Sequence, residues 1–236
     1  MYFKKLEEKR RKNGHILLAL IDPDQKNDSK LKKIVENINR LEFDAVLIGG
    51  SSIKDDLIET RINYIKSKIK LPIILFPGSS KQVTGSIDSM LYLNLISGRN
   101  TRYLIEEHVE SSTLINDLKI ETIPTAYILL DGGKLTSVVK VSKTSPLCME
   151  DQDNVLSHAL AGQFLGNKLI YFDNGSGAKN IIDLKLLEYV KRHVKIPIMV
   201  GGGIKTKSEV ESLINNGADY IVIGNALEDL ELRLFQ

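Results

Sequence analysis

At 236 residues the chain has the length of a single barrel-type enzyme domain, and its 42% hydrophobic and 26% charged content fits a globular protein with a large core. The net charge of +2 comes from 32 basic and 30 acidic residues that are well mixed, with no basic stripe interleaved with aromatics, which argues against nucleic acid as a partner. A single cysteine, Cys148, rules out an internal disulfide and fits a reducing compartment, and no apolar run approaches the roughly 20 residues that cross a bilayer, so a soluble cytoplasmic protein is expected.

Short apolar runs alternate with helical patterns from end to end, the mark of repeated βα units around a parallel sheet. A charged helix over 2–12 comes first and is expected to close the bottom of the fold. The apolar runs then follow at 15–21, 45–48, 72–76, 90–95, 125–130, 169–172, 196–200 and 218–223. They are nearly continuous in apolar residues, as strands buried on both faces must be. Helical periodicity occupies 29–40, 55–68, 102–118, 153–165, 180–193 and 207–216, with Asp28 or Ser29 placed to cap the first and Thr206 the last. Eight such units in one domain, 1–236, predict an α/β fold of the (β/α)8 barrel type. Two connections break the pattern. Residues 78–89 are rich in Gly, Ser and Thr and too broken for a good crossover helix, so an irregular, helix-poor connection is expected between strands 3 and 4. Asp131-Gly132-Gly133-Lys134 lies between apolar runs and predicts a hairpin extension of strand 5.

In such a barrel the C-terminal strand ends carry the chemistry. Strand 1 runs into Asp22-Pro23-Asp24, whose carboxylates suit Mg2+ beside substrate phosphates, or else form a capping turn. Strand 2 runs into Gly49-Gly50-Ser51-Ser52, which offers hydroxyls and N–H groups to a metal or phosphate, or else caps the next helix. Strand 6 runs into Tyr171-Phe172-Asp173-Asn174-Gly175-Ser176-Gly177, where an N–H-rich cradle adjoins a carboxylate able to take a proton and a phenolic donor. Strands 7 and 8 exit through Gly201-Gly202-Gly203 and Gly224-Asn225. Backbone without a Cβ can approach an anion closely, and the loops after strands 7 and 8 are the usual phosphate site of a TIM barrel. A phosphorylated ligand is therefore expected. The four histidines have no metal-ligand spacing and read as structural or surface residues, while Cys148, with no local His partner, reads as a structural residue.

Leu20-Ile21-Asp22-Pro23-Asp24, Ile48-Gly49-Gly50-Ser51-Ser52, the segment from Tyr171 to Ala178, Val200-Gly201-Gly202-Gly203-Ile204 and Ile223-Gly224-Asn225-Ala226 together resemble the geranylgeranylglyceryl phosphate synthase family, including its heptaprenylglyceryl phosphate relatives. The pieces are short, but they span nearly the whole chain, and their order and strand-end placement make the set specific. The resemblance implies a modified TIM barrel that lacks the regular third helix. It implies a prenyltransferase that joins sn-glycerol 1-phosphate to a polyprenyl diphosphate, with geranylgeranyl the expected chain, giving an ether and pyrophosphate with Mg2+ as cofactor. Asp22 and Ser51 are the implied Mg2+ ligands. Tyr171, Phe172, Asp173, Asn174, Gly175, Ser176, Gly177, Gly202, Gly203, Gly224 and Asn225 are the implied glycerol phosphate site, with Asp173 and Tyr171 in catalysis. A homo-oligomer, dimer or hexamer, and a transient membrane contact complete the expectation.

Two residues depart from the family pattern. Asp173 stands where many members have Glu in a Tyr-Leu-Glu sequence, setting the carboxylate back by on the order of 1–1.5 Å. Leu20 replaces a Lys that bacterial relatives carry two residues before the first Asp, which places the chain nearer the archaeal-type branch. The prenyl tail needs an apolar groove, expected in the helix-poor gap beside Phe76 and residues 90–95. Two alternatives share the glycine-rich exits: an isomerase or lyase of amino-acid biosynthesis on the same fold, and a non-catalytic phosphate-ligand sensor. The first does not call for the acidic set at strands 1 and 2 or the helix-poor third unit, and intact Asp22 and Asp173 argue against the second.

Overall fold

In a computed structural model of the chain, which describes residues 1–50 and 55–228, eight parallel strands close into a barrel in sequence order. The chain opens with α1 (Tyr2–Asn13) and β1 (Ile16–Ile21), then α2 (Leu31–Arg40), β2 (Ala45–Ile48), α3 (Ile58–Lys68), β3 (Ile73–Leu75) and β4 (Ser89–Asn94). It continues with α4 (Glu106–Asp117), β5 (Glu121–Leu129), α5 (Ser137–Ser142), α6 (Gln152–Phe164), β6 (Leu169–Asp173) and α7 (Leu184–His193). β7 (Ile198–Gly201), α8 (Lys207–Asn215), β8 (Tyr220–Ile223) and the short α9 (Asn225–Glu228) complete it. Pairing of β8 with β1, Ile16 opposite Tyr220, closes the ring.

Successive residues of a strand point to opposite faces, and the apolar runs divide accordingly into two cores. Leu18, Leu47, Ile74, Leu91, Tyr127, Tyr171 and Met199 fill the barrel interior. Ala19, Val46, Ile128, Phe172, Val200 and Ile221 face outward and pack against Ile34, Ile62, Leu187 and Leu213 of the helices. This is why the strands read as unbroken apolar runs. Each fully buried Leu or Ile contributes roughly 1.5–3 kcal/mol.

The N-terminal helix closes the bottom of the barrel, as expected. Leu6 is buried against the interior core. The Glu121 carboxylate accepts the backbone N–H groups of Tyr2 and Phe3 at the helix start. The Tyr220 hydroxyl donates to Glu7 at 2.6 Å, and Arg10 donates to Asp219 at 2.8 Å. Asp219 also accepts the Ile198 N–H at 2.8 Å and the Lys191 ammonium.

Between β3 and β4 there is no α-helix, only a single 3-10 turn at Ser80–Gln82. The helix-poor connection is thus present, and its turn leans on α4, where Ser80 donates to the Glu107 and Glu110 carboxylates. Three local expectations differ. The chain after β5 forms no hairpin: Gly133 N–H closes an Asx turn on Asp131 at 2.9 Å, and α5 follows. The Gly132 carbonyl accepts the Lys179 N–H at 2.9 Å, tying the turn to the β6 exit, while Val138 and Val139 pack onto the interior core. Hydrophobic cover over the barrel mouth thereby replaces strand pairing. Neither Asp28 nor Ser29 caps α2, whose N-cap is Lys30 without a side-chain bond, because Asp28 is taken by Arg61. Thr206 does cap α8, in a reciprocal capping box with Glu209. β5 begins at Glu121, ahead of the expected 125–130, and accommodates Pro124 by using its carbonyl, which accepts the Lys168 N–H at 2.8 Å.

Candidate active site

The C-terminal strand ends converge on one cavity of mixed polar and apolar lining. Asp22, Tyr171, Asp173, Gly175, Ser176, Gly177, Gly202, Gly203, Gly224 and Asn225 all line it, together with Lys26 and Lys205. Of the expected site residues, Phe172 and Asn174 do not. The two-residue alternation that turns Tyr171 and Asp173 inward turns these outward: Phe172 is fully buried in the strand–helix layer, and Asn174 donates to the Asn180 carbonyl at 3.2 Å. Ser51 lies outside the described residues.

The cradle is made by backbone. Gly202 has φ +90°, and a Cβ there would lie 2.8 Å from the Gly175 nitrogen, so the β6 and β7 exits touch because Gly202 has no side chain. Asn225 ties the β8 exit to the same loop, its Oδ1 accepting the Gly177 N–H at 2.8 Å and the Ser176 hydroxyl at 3.2 Å. Three consecutive strand exits thus meet in one glycine-rich rim, whose backbone without Cβ atoms lets a ligand approach closely.

Next to this rim, at the exit of β1, which pairs with β8, stands Asp22. Its carboxylate is 2.6 Å from the Lys26 ammonium, and its carbonyl accepts the Asn27 side chain at 2.9 Å. The β2 exit presses on it: a Cβ at Gly50 would come within 2.2 Å of Asp22 Oδ1. Asp24 is turned to another task, accepting the Lys26 N–H at 3.0 Å as N-cap of the turn Gln25–Asn27. The whole loop is held from behind by Arg61 of α3. Its guanidinium is buried and bonds Asp28 at 2.6 and 2.9 Å, Asp55 at 2.7 and 2.8 Å, and the Pro23 carbonyl at 3.0 Å. These bonds hold the Asp28 and Asp55 carboxyls below the usual carboxylate range. Among the described residues no three His, Cys, Asp or Glu side chains cluster as a metal cage. A single carboxylate facing an anion cradle is the donor set that Mg2+ uses when substrate phosphates complete its shell, so the residues present fit that ion.

Asp173 is buried, with its two oxygens held separately: Tyr127 donates to Oδ2 at 2.5 Å and the Gly175 N–H to Oδ1 at 2.7 Å. Burial pushes its carboxyl above the usual range, against the pull of those two donors. Burial, with the Asp173 charge added, also pushes the Tyr127 and Tyr171 phenols well up, so both stay protonated at neutral pH.

A second cavity, almost wholly apolar, adjoins the first and shares Gly50, Phe76 and Val138 with it. Its walls include Met90, Leu91, Leu93, Leu95, Tyr127, Val138 and Val141, and it runs along the helix-poor connection past Gly78, Ser79 and Ser80. The expected groove beside Phe76 and residues 90–95 is therefore present. His108 in its wall is structural, with Nε2 2.7 Å from the Leu93 carbonyl and its ring 4.6 Å from that of Tyr92. Cys148 is exposed, against the expectation of a structural residue.

Sequence reasoning missed Tyr127, Arg61 and α5. Tyr127 had a signal: it keeps the parity of Thr125 and Leu129 within strand 5, a polar aromatic on an inward position. Arg61 had one too, a charge on the buried stripe of α3 formed by Ile62 and Ile65.

The chain matches the PcrB family over residues 6–235. It is 41% identical over 220 residues to a geranylgeranylglyceryl phosphate synthase from Flavobacterium johnsoniae, covering 93% of this chain and 90% of that protein. It is 36% identical over 224 residues to a protein of the same name from Picrophilus torridus, covering 94% and 90%. Among solved structures it is similar to (S)-3-O-geranylgeranylglyceryl phosphate synthase from Thermoplasma acidophilum in complex with substrate sn-glycerol-1-phosphate, with a TM-score of 0.88, 33% identity and coverage of 94% of this chain and 91% of that one. Matched along nearly its full length in sequence and in fold, the chain belongs to the PcrB family, the family of the geranylgeranylglyceryl phosphate synthases.

Proposed function

We propose that this chain joins sn-glycerol 1-phosphate to a polyprenyl diphosphate, geranylgeranyl being the expected chain, to form an ether-linked prenylglyceryl phosphate and pyrophosphate. The observation that carries this reading is the junction of a glycine-rich cradle with an apolar groove at Gly50, Phe76 and Val138. An isomerase or lyase of a small phosphorylated substrate has use for the cradle and none for the groove. The names of the relatives and the ligand of the Thermoplasma acidophilum structure support the same chemistry.

The rim of Gly177, Gly203 and their neighbours would grip the phosphate and leave the glycerol hydroxyl facing Asp173. Fixing the nucleophile in this way removes orientational entropy from the barrier. Asp173, desolvated and with lone pairs to spare, would take the hydroxyl proton as the oxygen bonds to the allylic carbon. The electron pair of the breaking allylic C–O bond leaves with pyrophosphate. The protonated Tyr171 phenol can donate a hydrogen bond in the cavity but does not serve as a base. Mg2+ at Asp22, with Ser51 as its expected second ligand, would neutralise charge on the leaving pyrophosphate. Lys26, 2.6 Å from Asp22, adds positive charge to the same corner.

A homo-oligomer, dimer or hexamer, belongs to this reading, and exposed Val109 on α4 and Phe164 and Leu165 at the end of α6 offer apolar area for its contacts. So does a cytoplasmic protein that touches membranes transiently to collect its substrate; no helix among the described residues is long and apolar enough to span one.

The decisive assay incubates purified protein with sn-glycerol 1-phosphate and labelled prenyl diphosphates of several lengths, with Mg2+ or with chelator. A labelled ether that needs both substrates and Mg2+ is expected. Absence of product with every chain length would refute the reading, and product at full rate in chelator would remove the metal from it.

A further inference from the structure

Tyr127 lines the apolar cavity and reaches across to Asp173, a residue of the other one. Its ring forms part of the apolar groove wall, while its hydroxyl donates to Asp173 Oδ2 at 2.5 Å. Strand register explains the reach: Tyr127 pairs with Tyr171 and Leu129 with Asp173, so Tyr127 sits two residues deeper in the barrel and sends its long side chain up to the carboxylate. The ring has little freedom. Phe76 meets it edge-on at 5.9 Å, Tyr171 lies at 5.4 Å, and the residue is buried. With the Gly175 N–H on the other oxygen at 2.7 Å, the carboxylate plane is fixed from two sides. A carboxylate has about four lone-pair sites, so two remain for a substrate.

We propose that Tyr127 is a positioning residue: its hydroxyl aims the short Asp173 carboxylate at the glycerol hydroxyl, and its place in the groove wall links that aim to the apolar cavity. The inference rests on the reading of Asp173 as proton acceptor. During transfer the proton passes from the glycerol hydroxyl to Asp173, the hydroxyl oxygen forms the new C–O bond, and the allylic C–O pair departs with pyrophosphate. Tyr127 keeps its own proton throughout.

The test is Tyr127→Phe, which keeps the ring and removes the hydroxyl. The kcat is expected to fall on the order of tenfold or more, with KM for both substrates within about twofold. The acid limb of kcat should move to higher pH, because the lost hydrogen bond favoured the charged form of Asp173. Tyr171 on the same strand, Asp22 and Lys26 after β1, and Lys205 after β7 also face this cavity and are unchanged in the variant. Tyr127→Leu, which removes the ring as well, should additionally raise KM for the prenyl diphosphate. Wild-type kcat with an unmoved acid limb in Tyr127→Phe overturns the proposal, as does a rise in KM alone. Should the Phe variant melt below assay temperature, fluorotyrosine at 127 decides instead. A more acidic phenol donates more strongly and should move the limb to lower pH; an unmoved limb overturns the proposal. Asp173→Asn assayed in parallel separates the two ideas. Wild-type kcat there removes the proton acceptor itself, whereas loss there with full activity in Tyr127→Phe removes only the role of Tyr127.

Discussion

Asp173 is held at the barrel mouth against its own preference for water. Burial pushes its carboxyl above the ordinary value of 3.8, so the folded state binds that proton more tightly than the unfolded chain does. Its contribution to stability is therefore fully present below 3.8 and is lost as pH rises through the folded value. At neutral pH a neutral Asn should relieve this burden, with Oδ1 still accepting from Gly175 and the amide facing the Tyr127 oxygen. Asp173→Asn is expected to raise the urea midpoint at pH 7 while lowering kcat strongly. A lowered midpoint would mean that the two hydrogen bonds outweigh the burial. The residue types at the site were readable from the strand-end motifs, because glycine and carboxylate at such positions have few structural substitutes. Their directions were not. Reading Tyr171 to Gly177 as one block hid the alternation that sends Phe172 and Asn174 into the outer layer.

At the scale of elements, the eight strands and the missing third helix were legible because they depend on composition: unbroken apolar runs, and a Gly- and Ser-rich stretch with no helical stripe. The segment after β5 was not. Asp-Gly between apolar runs satisfies hairpin chemistry, and only tertiary contacts of Gly132 and Val138 turn it into a helix across the mouth. Val138 of α5 lines both cavities at their junction. Val141, on the same helix, lines the apolar cavity alone, and Val141→Asp should raise KM for the prenyl diphosphate about tenfold or more, on the order of the cost of burying a charge beside an apolar tail, and leave KM for glycerol phosphate nearly unchanged. Equal effects on both constants would place α5 outside the groove wall. At the opposite end, Asp219 accepts from Ile198, Arg10 and Lys191 and so joins α1 and α7 to the barrel floor. Asp219→Ala strands those donors and is expected to cost about 2–4 kcal/mol in denaturant unfolding, with little change in kcat because the site lies at the other end.

For the molecule as a whole, three carboxylates outside the mouth, Glu7, Asp28 and Asp55, are shifted the opposite way to Asp173. Burial works against ionisation of Glu7, yet hydrogen bonds from Arg10 and Tyr220 and the charges of Arg10 and Arg11 hold its carboxyl below the ordinary 4.5. Asp28 and Asp55 are lowered by Arg61. Their stabilisation is complete above the unfolded values and is lost as pH falls through the lower folded ones. Circular dichroism should thus record a fold that weakens progressively below about pH 4, with α1 and the Asp22 loop loosening first. A midpoint that stays level down to pH 3 would contradict this assignment. The absence of a helix between β3 and β4 has a consequence for how a long hydrocarbon is accommodated. A complete outer ring would make each added isoprene unit a matter of available volume. On the proposed reading, a groove along this helix-poor flank would make it a matter of threading instead, with surplus carbons carried past Ser79 and Ser80. Reactive head and trailing tail would, on that reading, sit at different places along one path, the Asp173 carboxylate at one end and the turn at Ser80–Gln82 toward the other.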